Sequence, residues 1–144
     1  MKLYHASKHR FDVIKRSQAQ HPAADEFGVQ AGELQNKIYF SPNFGFALAM
    51  AAGPNGMTSL RDGQISFEHQ DEFEPERPVY IYEIDSELIP KELLEQVDDE
   101  QVAIDVDEIK VEVVHELKAE KVFEHYELTE WKQSDERRKE MKFI

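Results

Sequence analysis

Apolar and polar positions alternate most regularly in Pro78-Val79-Tyr80-Ile81-Tyr82-Glu83-Ile84, where Val79, Ile81 and Glu83 share one side and Tyr80, Tyr82 and Ile84 the other. A period of two predicts a strand. Shorter apolar runs predict two more, Lys2-Leu3-Tyr4-His5-Ala6 and Lys37-Ile38-Tyr39-Phe40-Ser41, the second rich in β-branched and aromatic residues. The period then changes. From Phe44 to Ala52 the residues Phe44, Ala47, Leu48 and Ala51 recur at helical spacing, with Ser41-Pro42-Asn43 as turn and N-cap before them and Gly53-Pro54-Asn55-Gly56 as a stop after them.

The runs 57–60 and 64–67 flank Arg61-Asp62-Gly63, a hairpin signal because Asp-Gly tolerates the left-handed backbone of a tight turn. Pro90 predicts the start of a short helix over 91–97, since its fixed φ suits a first turn. Strands are predicted over 109–116 and 121–128, and Thr129 as the cap of a weakly amphipathic helix over 130–142. Residues 17–32 carry no sustained period and read as a long loop, of the kind that covers functional sites. Strands joined by hairpin-like turns, with few helices between them, predict a single α+β domain over 1–144 built on a mainly antiparallel sheet.

Charge changes the picture in one region. The chain carries a net charge of -13, and between Glu68 and Glu108 there are 16 Asp and Glu against two bases, Arg77 and Lys91. That segment therefore carries -14 and the remainder +1. Nucleic-acid binding through a general basic surface is disfavoured, because neutralising phosphates with Lys and Arg dominates such affinity. A basic protein partner would instead find a complementary surface, although a solvated acidic surface also serves solubility alone. With no cysteine, disulfides, thiolate nucleophiles and Cys-based zinc sites are excluded. No apolar run reaches the length of a membrane-spanning helix and the first residues lack the pattern of a secretory leader, so a cytoplasmic setting without membrane contact is the expectation.

Metal chemistry finds no supporting pattern. Asp98, Asp99 and Glu100 with Asp105, Asp107 and Glu108 lack the Asp-x-Asp-x-Asp-Gly register of a calcium loop. His115 and His125, with Glu116, Glu124 and Glu127 near, lack a signature ligand spacing. A phosphate-cradling Gly-rich loop and a Gly-x-Ser-x-Gly elbow are also missing.

Three pieces then occur in a suggestive order: Leu3-Tyr4-His5-Ala6-Ser7; Lys37-Ile38-Tyr39-Phe40-Ser41 followed by the 44–52 helix; and Lys110-Val111-Glu112-Val113-Val114. This order resembles the His-Tyr-Glu branch of the ADP-ribosyltransferases, which includes the poly(ADP-ribose) polymerases and diphtheria-type toxins. The resemblance covers most of the chain by element order and about a dozen residues by motif. It implies a split, mainly antiparallel sheet with a few flanking helices, NAD as substrate, and transfer of ADP-ribose to a macromolecular acceptor or hydrolysis of NAD. By that resemblance His5 positions the ribose, Tyr39 stacks on nicotinamide and Glu112 is catalytic, with Ser7 and Ser41 as supporting partners. Two positions depart from the family pattern. Ala6 stands where the family has a glycine beside nicotinamide, and Met50 where it has a second stacking tyrosine.

The residue types suit that chemistry. Breaking the nicotinamide–ribose bond develops positive charge on the ribose, which a carboxylate such as Glu112 stabilises. An imidazole that bonds ribose hydroxyls and a ring that stacks on nicotinamide hold the reactive pose. Each residue also has a plain structural alternative: His5 as a hydrogen-bonded strand residue, Tyr39 as core, Glu112 as a solvated position on its strand face. Ala6 and Met50 favour a non-catalytic binding module on the same scaffold, and the acidic segment favours an interaction protein that presents carboxylates in place of phosphates.

Overall fold

The computed structural model describes residues 1–15, 37–111 and 113–131. The predicted 17–32 loop, the predicted C-terminal helix from residue 132 onward and Glu112 lie outside the described residues.

A three-stranded antiparallel sheet forms the centre: β1 (Lys2–Ser7) and β10 (Val113–Lys118) flank β6 (Pro78–Asp85). Alternation along these strands feeds two separate apolar clusters. Ala6, Val79, Ile81 and Leu117 join the helix α1 (Phe44–Ala52) on one face, whereas Leu3, Tyr82, Ile84 and Val114 join Ile38, Phe40, Val102 and Ile104 on the other. Because both faces are covered, the alternation of β6 separates two apolar sets rather than apolar from polar.

The second face is closed by β3 (Ile38–Phe40), β8 (Val102–Ile104) and β7 (Leu94–Gln96), an antiparallel sheet in that order, and by the pair β2 (Val13–Lys15) and β9 (Glu108–Lys110). Among the described residues one bridge, Tyr4 with Ser41, joins the β3–β8–β7 sheet to the central sheet through reciprocal bonds of 2.7 and 2.8 Å. On the first face β4 (Thr58–Arg61) and β5 (Gln64–Phe67) form the predicted hairpin, with β11 (Glu127–Leu128) parallel to β5. Its turn places Asp62 at φ 51° and Gly63 at φ 78°, the left-handed pair that Asp-Gly signals. The architecture is α+β and mainly antiparallel.

Helix α1 follows its predicted bounds. Asn43 caps it by accepting from the Phe46 amide at 3.1 Å, and the Ser41 hydroxyl accepts from the Asn43 amide at 3.0 Å. The helix is not one-sided, however: every residue from Gly45 to Ala52 is buried. Five of its nine residues are Gly or Ala, so it fits between the central sheet and a 3-10 turn over Ala119–Glu124. A Cβ on Gly45 would come within 2.9 Å of the His125 ring, which shows how close that packing is.

Three predicted elements differ. The helix expected over 91–97 is a single 3-10 turn, Lys91–Leu93, that passes into β7. Of the strand expected over 121–128 only Glu127–Leu128 is extended, as β11; its first half belongs to the Ala119–Glu124 turn, whose Ala119 and Val122 are fully buried at the three-residue spacing of a 3-10 helix. The strand expected over 109–116 divides, β9 pairing with β2 and β10 with β6. Among the described residues no helix is long and apolar enough to cross a membrane.

Candidate functional site

The motifs of β1 and β3 lie side by side. The His5 ring points from the middle of β1 toward β3, and its Nδ1 lies 2.8 Å from the carbonyl oxygen of Tyr39. A carbonyl can only accept, so Nδ1 carries the hydrogen and donates, and in the neutral ring Nε2 is then the acceptor nitrogen. The ring packs between aromatic neighbours, its centroid 5.5 Å from Phe40 and 6.3 Å from Tyr82. Tyr82 is itself fixed: its hydroxyl donates to the His9 carbonyl at 2.6 Å and accepts from the Phe11 amide at 2.5 Å. Burial raises the Tyr82 pKa above its ordinary value, so the hydroxyl keeps the proton it donates.

His5, Tyr39 and Ser41 are thus brought together at the β1–β3 junction. Ser7 lies at the far end of β1, where its hydroxyl accepts from the His9 amide at 3.0 Å. Ala6 and Met50 belong to the apolar cluster around α1, on the opposite face of the central sheet from Leu3 and Tyr82. All six residues are between 0% and 3% exposed. Lys37, just before β3, is tied to Glu95 of β7, and that bond raises its pKa. The neighbours of Glu112 are described: Val111 packs on the cluster around Phe40, and Val113 pairs with Glu83.

No family model, curated protein or solved structure matches this chain.

Sequence reasoning passed over a second polar group on the central sheet. Glu83 sits diagonal to His115 across β6 and β10; His115 Nε2 lies 3.0 Å from its Oε1, and Lys2 Nζ 3.6 Å from its Oε2. The signal was present in the sequence as a carboxylate within an otherwise apolar strand. The bond from His115, assisted by Lys2, holds the Glu83 carboxyl below its usual range against partial desolvation. A depressed folded-state value means that this contribution is present above the ordinary carboxylate pKa and is lost as pH falls through the folded one. Glu83→Gln should accordingly lower the melting temperature at about pH 6, with the difference from wild type narrowing toward about pH 3. Melting curves at the two pH values check this, and an equal difference at both would remove Glu83 as its source.

Proposed function

We propose that this chain is an NAD-binding, ADP-ribosyltransferase-like protein that transfers ADP-ribose to a macromolecular acceptor or hydrolyses NAD. The supporting observation is the His5–Tyr39 junction: an imidazole in a fixed tautomer, in the middle of the first strand, bonded to the backbone of the tyrosine named by the second motif. A central sheet joined to a second antiparallel sheet by one bridge is consistent with a split-sheet scaffold of this kind. In this reading Nε2 of His5 accepts from a ribose hydroxyl, Tyr39 supplies the stacking ring, and Glu112 supplies the charge that stabilises the ribosyl cation.

Burial adds a requirement. His5 and Tyr39 are 2% and 3% exposed, so NAD must be admitted by a rearrangement, and association should be slower than the typical range of about 10⁵–10⁷ M⁻¹s⁻¹. Calorimetric titration with NAD, beside His5→Asn, tests the reading. Asparagine can keep the donor to the Tyr39 carbonyl while removing the acceptor nitrogen, so the variant should remain folded and bind NAD at least about tenfold more weakly, a loss of about 1.4 kcal/mol. Saturable wild-type binding that is unchanged in a folded His5→Asn protein would exclude His5 from the site.

A second reading, an acidic interaction protein, has its own observation: 13 of the 16 carboxylates between Glu68 and Glu108 are exposed. It predicts capture of a basic protein that weakens steeply with salt.

A further inference from the structure

We propose that a cleft bounded by the start of β1, the end of β6 and β9 binds a small amphipathic anion, a ring-sized apolar body bearing one carboxylate or comparable group. The cleft has a volume of about 270 Å³; Lys110 and Val113 of the third motif piece line it, but none of the residues given a role in the NAD reading does, and this inference does not rest on that reading.

The apolar part of the ligand is indicated by the lining. Ile84, Ile89 and Ile109 contribute side chains from three separate segments. Leu88 and Val113, also in the lining, are 78% and 42% exposed, so apolar area stands open to water beside the cleft. A ligand body that covered it would gain by its removal from water.

The sign of the polar group follows from which charges already have partners. Glu83 is engaged by His115 and Lys2, and Asp85 accepts from the Glu87 amide at 3.0 Å and pairs with the Met1 ammonium at 3.4 Å. Both carboxylates of the cleft are therefore occupied. Lys110, by contrast, makes no ion pair among the described residues. A cation would have to displace Lys2 or His115 from Glu83, or the Met1 ammonium from Asp85, whereas an anion finds the Lys110 ammonium ready. The net charge of -13 opposes any anion at long range, but that field is screened over about 8 Å at physiological salt, so the nearest charges decide.

The test is an amide NMR titration of the full chain at 0.15 M salt with two probes of similar shape and opposite charge, indole-3-propionate and tryptamine. Indole-3-propionate should shift the amides of Leu88, Ile89, Lys110 and Val113 saturably, with a Kd on the order of 1 mM, as ligand size allows. Tryptamine should bind at least about fivefold more weakly, the difference one desolvated charge contact gives. Lys110→Glu, at an exposed position where the fold tolerates change, should reverse the order. Leu88→Asp should weaken indole-3-propionate. Shifts that do not saturate, shifts located elsewhere, equal binding of the two probes, or an order unchanged in Lys110→Glu would each overturn the proposal.

Discussion

Arg77→Met should lower the melting temperature by roughly 10 °C, the largest stability loss expected from a single side chain at the rim of this fold. One nitrogen, Nη2, donates to the carbonyls of Ala51, Ala52 and Gly53 at 2.9, 2.8 and 3.0 Å. These are among the last carbonyls of α1, which have no partner within the helix, and no basic residue lies in its last turn to serve them. A cation at a helix C-terminus also interacts favourably with the negative end of the dipole there. Methionine keeps the length of the stem and removes all three bonds, so the cost is that of charge-assisted bonds in partly buried surroundings, about 2–3 kcal/mol. Two effects moderate it: burial already depresses the Arg77 pKa, and its Nη1 is a buried donor without a partner. Lys118→Ala is the control, because the Lys118–Glu76 pair spans 3.7 Å with side chains 56% and 81% exposed, and exposed pairs are worth about 0–1 kcal/mol. Chemical denaturation separates them: Arg77→Met should shift the midpoint without changing the slope, and a shift no larger than that of Lys118→Ala would refute the capping role.

Arg77 also illustrates why part of the fold was not legible. In Glu74-Pro75-Glu76-Arg77-Pro78 it reads as one charge in a solvated turn, and its partners lie 24 to 26 residues earlier. Local signals were read well where they act locally. The alternation of β6, the Asn43 cap and the Asp62-Gly63 turn each specify their element from within a few residues. The failures concern short segments whose state is set by a distant partner. Val102-Ala103-Ile104 has no alternation to offer because all three residues are buried, and it becomes a central strand only through β3 and β7. Lys121 to Glu124 has strand-like composition, yet the need to bury Ala119 and Val122 against α1 winds it into a 3-10 turn. Tertiary context overrides propensity in such pieces.

For the candidate site, the sequence indicated that β1 and β3 carry related pieces, and these segments are neighbours joined at Tyr4–Ser41 and His5–Tyr39. What the sequence could not convey is burial. A histidine at the centre of a covered strand has the same letter as one at a pocket wall, and only the packing of Phe40 and Tyr82 around its ring distinguishes them. Nor could it reveal that Ala6 and Met50 pack in a different cluster from Leu3 and Phe40, although the alternation of β1 implied opposite faces for Ala6 and its neighbours. The Glu83–His115 pair was missed for a similar reason: the two residues are 32 positions apart, and pairing register alone makes them neighbours.

The largest functional effect should come from Glu112→Gln, which on the ADP-ribosyltransferase reading lowers nicotinamide release by roughly 10²–10³-fold while leaving the Kd for NAD within about threefold. Bound NAD carries its positive charge on the nicotinamide ring; as the glycosidic bond lengthens, that charge moves onto the ribose and the ring leaves neutral. A carboxylate near the ribose interacts weakly with the ground state and strongly with the cation, so its contribution falls almost entirely on kcat. The amide of glutamine has nearly the same shape but no net charge, so the cofactor should still bind. His5→Asn should show the opposite pattern, weakening NAD binding first, because a bond to a ribose hydroxyl exists before the glycosidic bond breaks. The decisive measurement is nicotinamide release by wild type and both variants, with NAD affinity measured on the same preparations. Equal release by wild type and Glu112→Gln would retain an enzyme and reject Glu112, and a wild type that neither binds NAD nor releases nicotinamide would reject the reading itself.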